Sequence, residues 1–474
     1  MSTPDPVALR SGPSTSEAPS RQVSAADDEA PPQMRRAVLL MTASSVLTPA
    51  VGLLTQPMLA QALGVEGRGQ MAAALAPSLL VVSVATFGLP EALTYYIAKK
   101  PEITGRALRS AMLVSVLLGL VCLGLTYLVL PFLSAGDPLV ADLTLLAVAL
   151  TVPAMAIGAL RGAAMGRQMW GTVAVERLVS TVSRLVIFLV LWPMGLLDPV
   201  AAVAVTAAAP IWSGVVFWRL LLPDRQHRTR PPPDAITRKI LSFGVRIWFG
   251  AVASMLLSRF AQVLMAPLSD LVQLGLFTVA TTVSDLPLVI AMAIQGALFG
   301  VSSQLNDAGK LTQSARLTLL ASLLGCTGLA LTVPFWLAPL FGAEFGDALV
   351  PTLLLLLSAL ICTPGLLAAT GVSAWGRPGL RSIGLTVTLV VNGALFLVLV
   401  PTSGAVGASL ASVVGNVVLT GFMVVSASRL MQVPARDFLL VRTADLVRFR
   451  DEAVALSRRI PRPRRNSRAN ARQN

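Results

Sequence analysis

The sequence predicts an all-α polytopic membrane protein with about twelve transmembrane helices, folded as two pseudo-symmetric six-helix bundles in parallel repeat around a central cavity. Three observations predict it. The mean hydropathy is +0.75, with 55% hydrophobic and only 13% charged residues, far from soluble composition. Apolar runs of about 20 residues or more, enough to cross ~30 Å of hydrocarbon as helix, recur along the chain. Of the 37 Lys and Arg, 33 fall in the seven hydrophilic segments that alternate crossings place on one side.

In chain order, residues 1–36, rich in Ser, Pro, Ala and acids, are expected to be a disordered cytoplasmic N-terminus. The first apolar run starts too late and runs too long for a secretory signal, so no cleavage is expected. Spans at 37–63, 70–98, 107–133, 140–160, 172–195 and 199–221 make an N-terminal bundle over 37–221. A cytoplasmic linker at 222–240 follows. Spans at 241–267, 272–300, 315–341, 347–373, 380–401 and 404–430 make a C-terminal bundle over 241–430. Residues 431–474 are a basic cytoplasmic tail, in which Phe438, Leu439, Leu446 and Phe449 mixed with Arg442, Arg448 and Arg450 suit an interfacial helix.

Twelve spans put both termini on one side, and the basic segments name that side cytoplasmic. They include Arg35-Arg36, Lys99-Lys100, Arg161, Arg167, Lys310, Arg316, Arg377 and Arg381. The expected location is a bacterial plasma (inner) membrane. The opposite connections carry mainly acids, Glu66, Asp137, Asp198, Asp270 and Glu344, with Arg68 as their one cation.

The net charge of +14 is explained by insertion and by contact with anionic lipids at the cytoplasmic face, not by nucleic acid. Cys122, Cys326 and Cys362 all lie in spans, so no disulfide, metal site or cofactor is expected. The single histidine, His227, sits in the linker among Arg225, Arg228 and Arg230, a solvated position. With short extracytoplasmic connections as well, an enzyme is not expected.

The linker divides the spans six and six, and span 7 with span 8 echoes span 1 with span 2. A turn from Leu63 to Gly69 opens Met71-Ala-Ala-Ala-Leu-Ala76, and a turn from Leu268 to Gly275 opens Leu276-Phe-Thr-Val-Ala280. Parallel halves related by an axis along the membrane normal are a transporter architecture. The stretches Leu63-Gly-Val-Glu-Gly-Arg-Gly69, Phe87-Gly-Leu-Pro-Glu-Ala-Leu93, Leu257-Ser-Arg-Phe-Ala-Gln-Val-Leu-Met-Ala-Pro267 and Gly275-Leu-Phe277 resemble one family. It is the polysaccharide-transport branch of the multidrug, oligosaccharidyl-lipid and polysaccharide exporter superfamily, and the similarity covers nearly all twelve spans. The resemblance implies a flippase that moves a polyprenyl-pyrophosphate-linked oligosaccharide to the outer leaflet for cell-surface polysaccharide biosynthesis. Polysaccharide polymerase or glycosyltransferase machinery is the partner it implies. Two departures stand out: Ala261 occupies a span 7 position that is often acidic in such flippases, and span 1 lacks the arginines of the related lipid II flippases.

Three arginines, Arg177, Arg184 and Arg259, sit inside apolar runs, where a charge is costly and usually faces a bundle interior or a water-filled path. Arg177, Ser180, Thr181 and Arg184 share one face of span 5 at 3.6 residues per turn. Arg184 lies about 25 Å of helix from Arg167 and Arg177 roughly 10 Å nearer the cytoplasm. Guanidinium groups stay ionised and grip phosphate oxygens in pairs. Arg177, Arg184, Arg259, Ser180 and Gln56 are therefore the candidate substrate path. Glu91, Asp285 and Glu176 are candidates for ion coupling or for ion pairs, Glu176 or Glu91 with the span 5 arginines and Asp285 with Arg259. The rival reading is a small-molecule, multidrug-type, cation-coupled antiporter of the same superfamily. A lipid II flippase is a second alternative.

Overall fold

The computed structural model describes residues 32–221, 252, 255–256, 259–305 and 308–440. The N-terminal segment before residue 32, the linker with His227, most of span 7 before residue 259 and the tail beyond residue 440 lie outside the described residues.

Every regular element among the described residues is helical. The first helix, α1, runs Pro32–Ala85 over 54 residues, about 80 Å at 1.5 Å per residue and far more than one crossing needs. It breaks at Gly64, whose φ of 67° and ψ of −176° suit a residue without a side chain. The break reverses the chain: an Arg68 Nη2 donates to Gln56 Oε1 at 2.6 Å, although twelve residues of straight helix would hold these positions ~18 Å apart. One continuous helical stretch is thus spans 1 and 2. At the other end of the sequence α11 (Pro378–Met431) breaks in the same way at Gly404 (φ 49°, ψ −127°). There Gly407 lies against the Leu399 carbonyl, so α11 supplies spans 11 and 12.

Between them lie α2 (Leu89–Lys99), α3 (Thr104–Leu133), α4 (Pro138–Gly166), α5 (Trp170–Leu191) and α6 (Pro199–Ser213). The second half begins with α7 (259–268) and continues with α8 (Leu271–Leu305), α9 (Ala308–Phe341) and α10 (Leu349–Ala374). Span 2, expected as one run over 70–98, is interrupted between α1 and α2 by Phe87 and Gly88, both at positive φ, with Pro90 in the new first turn. Proline tolerates that first turn because its missing N–H would have no partner there.

Three of the acids between the spans are helix caps. Asp137 accepts from Leu139 and Val140 N–H, Asp198 from Ala201 N–H and Asp270 from Gln273 N–H. Each stands at the N-terminus of a helix running back into the membrane, where a carboxylate satisfies orphan N–H groups and the helix dipole. Glu344 does the same from a distance, accepting from Val65 N–H at 3.4 Å just after the Gly64 break.

Most of the core is divided between the halves. Two clusters belong to the first half, around Leu93 and Ala163 and around Met71 and Phe188; two belong to the second, around Leu367 and Met423 and around Cys326 and Leu356. A single cluster joins Ala60, Val65, Ala73 and Val140 to Leu274, Phe277, Phe341 and their neighbours. The second half extends past residue 430. A turn at Gln432 leads into the short α12 (Arg436–Leu439), with Phe438 fully buried and Arg316 Nη1 donating to the Asp437 carbonyl at 3.2 Å.

Candidate functional site

Where the two arms of α1 face α7 and α8, a cavity of about 410 Å³ opens between the halves. Its first-half wall carries Gln56, Arg68 and Thr206; its second-half wall carries Arg259, Gln262, Thr278, Thr281, Thr282 and Asp285. The spacing explains the second wall. Thr281 and Thr282 lie three and four residues after Thr278 and four and three before Asp285, so all four share a face of α8, as Arg259 and Gln262 do on α7.

Arg68, only 3% exposed, is held by Gln56 and touches Met71 Sδ through Nη1 at 3.5 Å. Arg259 is held in the same manner, its Nη1 donating to Gln262 Oε1 at 2.8 Å. In each arginine an amide side chain fixes one end of the fork and leaves Nε buried without a partner. Thr206 Oγ1 is in the same state, so three of the four such atoms among the described residues belong to this one cavity. Buried donors are nearly always paired in folded proteins, so this cavity concentrates hydrogen-bonding capacity that the protein itself leaves open. The α8 threonines give their hydroxyl protons to carbonyls of their own helix, Thr278 to Leu274 and both Thr281 and Thr282 to Thr278. Their oxygens can still accept.

Arg259 and Asp285 stand close enough for their charges to interact, yet they form no direct ion pair; Arg161 and Glu176 do, at 2.8 Å. Glu176 is fully buried and accepts from Arg161 Nε at 3.0 Å, from Arg161 Nη2 at 2.8 Å and from the Ser213 hydroxyl at 3.1 Å. The contact ties α4, α5 and α6 together. Its partner is thus Arg161, and not Arg177 or Arg184.

The remaining candidates lie elsewhere. Arg177, Ser180 and Arg184 occupy the side of α5 opposite the exposed Val175, Val179, Val182 and Val186, so they face protein, but they do not line this cavity. Glu91 is exposed in the first turn of α2, a position that suits a carboxylate through the helix dipole. The structure therefore brings Gln56, Arg259 and Asp285 together and adds Arg68. In the sequence Arg68 reads as a residue of a connection, and its signal there is that it stands as the one cation among acids.

Residues 34–306 match the family described as polysaccharide biosynthesis protein. In fold the chain is similar to a solved lipid II flippase MurJ in an inward closed conformation, at a TM-score of 0.69 and 14% identity over 88% of this chain and 93% of that one. It is also similar to a multidrug resistance MATE family transporter of the MOP superfamily, inward-facing, with a TM-score of 0.62 and 15% identity over 87% and 100% of the two chains. An outward-facing structure of such a transporter gives 0.56 and 13% identity over 84% and 95%. No curated protein matches the chain in sequence.

Proposed function

The chain belongs to the polysaccharide biosynthesis protein family, and from that premise we propose that it flips a polyprenyl-pyrophosphate-linked oligosaccharide from the inner to the outer leaflet of the plasma membrane. The observation that carries this reading is the cavity with one arginine from each half, each offering an unpartnered Nε. A pyrophosphate brings negative charge and several acceptor oxygens, and arginine forks are the side chains best matched to them. Threonine oxygens and the two glutamines supply the mixed donors and acceptors that sugar hydroxyls require. At about 410 Å³ the cavity is in the range of small-ligand sites, which suits a headgroup while the lipid tail stays in the bilayer.

Because the two arginines come from different halves, an anion that takes both bridges the surfaces that rock in alternating access. Asp285, on the same wall, is the candidate for coupling to a proton or sodium gradient. Arg177 and Arg184 are candidates for the approach from the basic end, which the positive-inside rule names cytoplasmic.

The test is translocation of a fluorescent polyprenyl-pyrophosphate oligosaccharide in proteoliposomes, comparing the native chain with Arg68→Gln and Arg259→Gln at matched folded protein. Loss of at least tenfold in both supports the reading. Native protein that exports cationic drugs, and flips none of several such lipids, would move it to the multidrug class.

A further inference from the structure

The two turns that the internal repeat pairs lie face to face, and their contact is reciprocal. A Cβ added to Gly69 would overlap the Leu271 carbonyl, and one added to Gly275 would overlap the Val65 carbonyl. Val65 precedes Gly69 by the same four residues as Leu271 precedes Gly275, so the two contacts are equivalents under the repeat. At each, backbone meets backbone with no side chain between, and what blocks a methyl group is a carbonyl that cannot swing aside. Small residues are what permit helices in a membrane to approach so closely.

We propose that this glycine seam is the extracytoplasmic gate, closed here, and that Gly69 and Gly275 are the positioning residues that let it shut; the proposal rests on the alternating-access reading above. The seam lies one turn beyond the cavity: Arg68 adjoins Gly69, and Thr278 follows Gly275 by three residues. Few directional bonds cross it. Gln61 Nε2 donates to the Leu340 carbonyl at 2.8 Å and Val65 N–H reaches Glu344 at 3.4 Å, and no ion pair among the described residues spans it. Contacts of that kind hold two surfaces in register and separate without stranding a charge. Apart from the one cluster that joins the halves at this seam, the core is divided between them, so each can move as a body about that contact.

A single added methyl should disfavour the sealed state and leave the open one untouched. The test uses the full chain in intact cells, with Cys122, Cys326 and Cys362 replaced and Thr282→Cys as a reporter in the cavity, read by a membrane-impermeant maleimide. Gly69→Ala and Gly275→Ala should each raise the labelling rate from outside at least threefold. Gly124→Ala, whose added Cβ meets nothing within 4 Å, should not. A second variant closes the seam without touching its glycines: Gln61→Cys with Leu340→Cys, joined as a disulfide by copper phenanthroline before the reporter is probed, should abolish outside labelling, and reduction of the disulfide should restore it. Equal labelling in all three glycine variants, or labelling that persists in the cross-linked chain, overturns the gate and leaves alternating access standing. A reporter reached from one face alone in every variant overturns alternating access, and the gate with it.

Discussion

Two arginine sites within one membrane domain have opposite bookkeeping. Arg161 spends Nε and Nη2 on the carboxylate of Glu176, which Ser213 also satisfies. Arg68 and Arg259 are each tethered to a glutamine and keep a buried Nε with no partner. The first arrangement is a clamp: every strong group has what it needs, and three helices are fixed by it. The second leaves its demand open toward a cavity. A satisfied charge in a membrane protein therefore points to architecture, and an unsatisfied one to something that arrives.

The sharpest way to break the comparison is to remove the guanidinium. Arg161→Ala strands the Glu176 carboxylate, whose side chain is 1% exposed against 33% for that of Arg161, and leaving a buried charge without its partner should cost about 3 kcal/mol of stability. The expected outcome is loss of folded protein in detergent thermal melts, with much of it recovered in Arg161→Met, Glu176→Met. Arg259→Gln should do the reverse, leaving stability within about 0.5 kcal/mol while transport falls by about 2 kcal/mol, the worth of a charged hydrogen bond. Thermal melts and flipping rates on the same preparation decide it.

Gln56→Leu, which frees Arg68 from its tether without removing the charge, should weaken transport by about 1 kcal/mol, read as a rise in the half-saturating lipid concentration. The smallest effect is expected at Arg184→Gln, off the cavity wall: flipping reduced by less than in Arg259→Gln, with inorganic pyrophosphate protecting a thiol at Thr282→Cys as well as in the parent. Equal losses in the two arginine variants would place both on the wall that grips the headgroup.

Much of the fold was legible because hydropathy and charge are local quantities. The spans, the Gly64 turn and the basic and acidic ends all follow from neighbours along the chain. What was illegible depends on chain reversal and on packing at a distance. Arg68 looks like a connection residue until the break at Gly64 folds it back onto Gln56. Arg161 sits near the end of α4, and only the packing of α4 on α5 and α6 reveals that it serves Glu176. Phe438 and its neighbours have the alternation of a surface helix, yet Phe438 is fully buried in the second half. The sequence offers Asp285 as a partner for Arg259, and the two do share a wall; nothing along the chain tells that Arg259 turns to Gln262.

The reciprocal contact of Gly69 with Leu271 and of Gly275 with Val65 has the form of an isologous interface, in which residue i of one unit meets j of the other and j meets i. That is the signature of a symmetric homodimer, kept here inside one polypeptide. In this respect the two halves meet as the subunits of such a dimer do, each offering the other a glycine and a carbonyl. Co-expressed as separate polypeptides, they should find each other again.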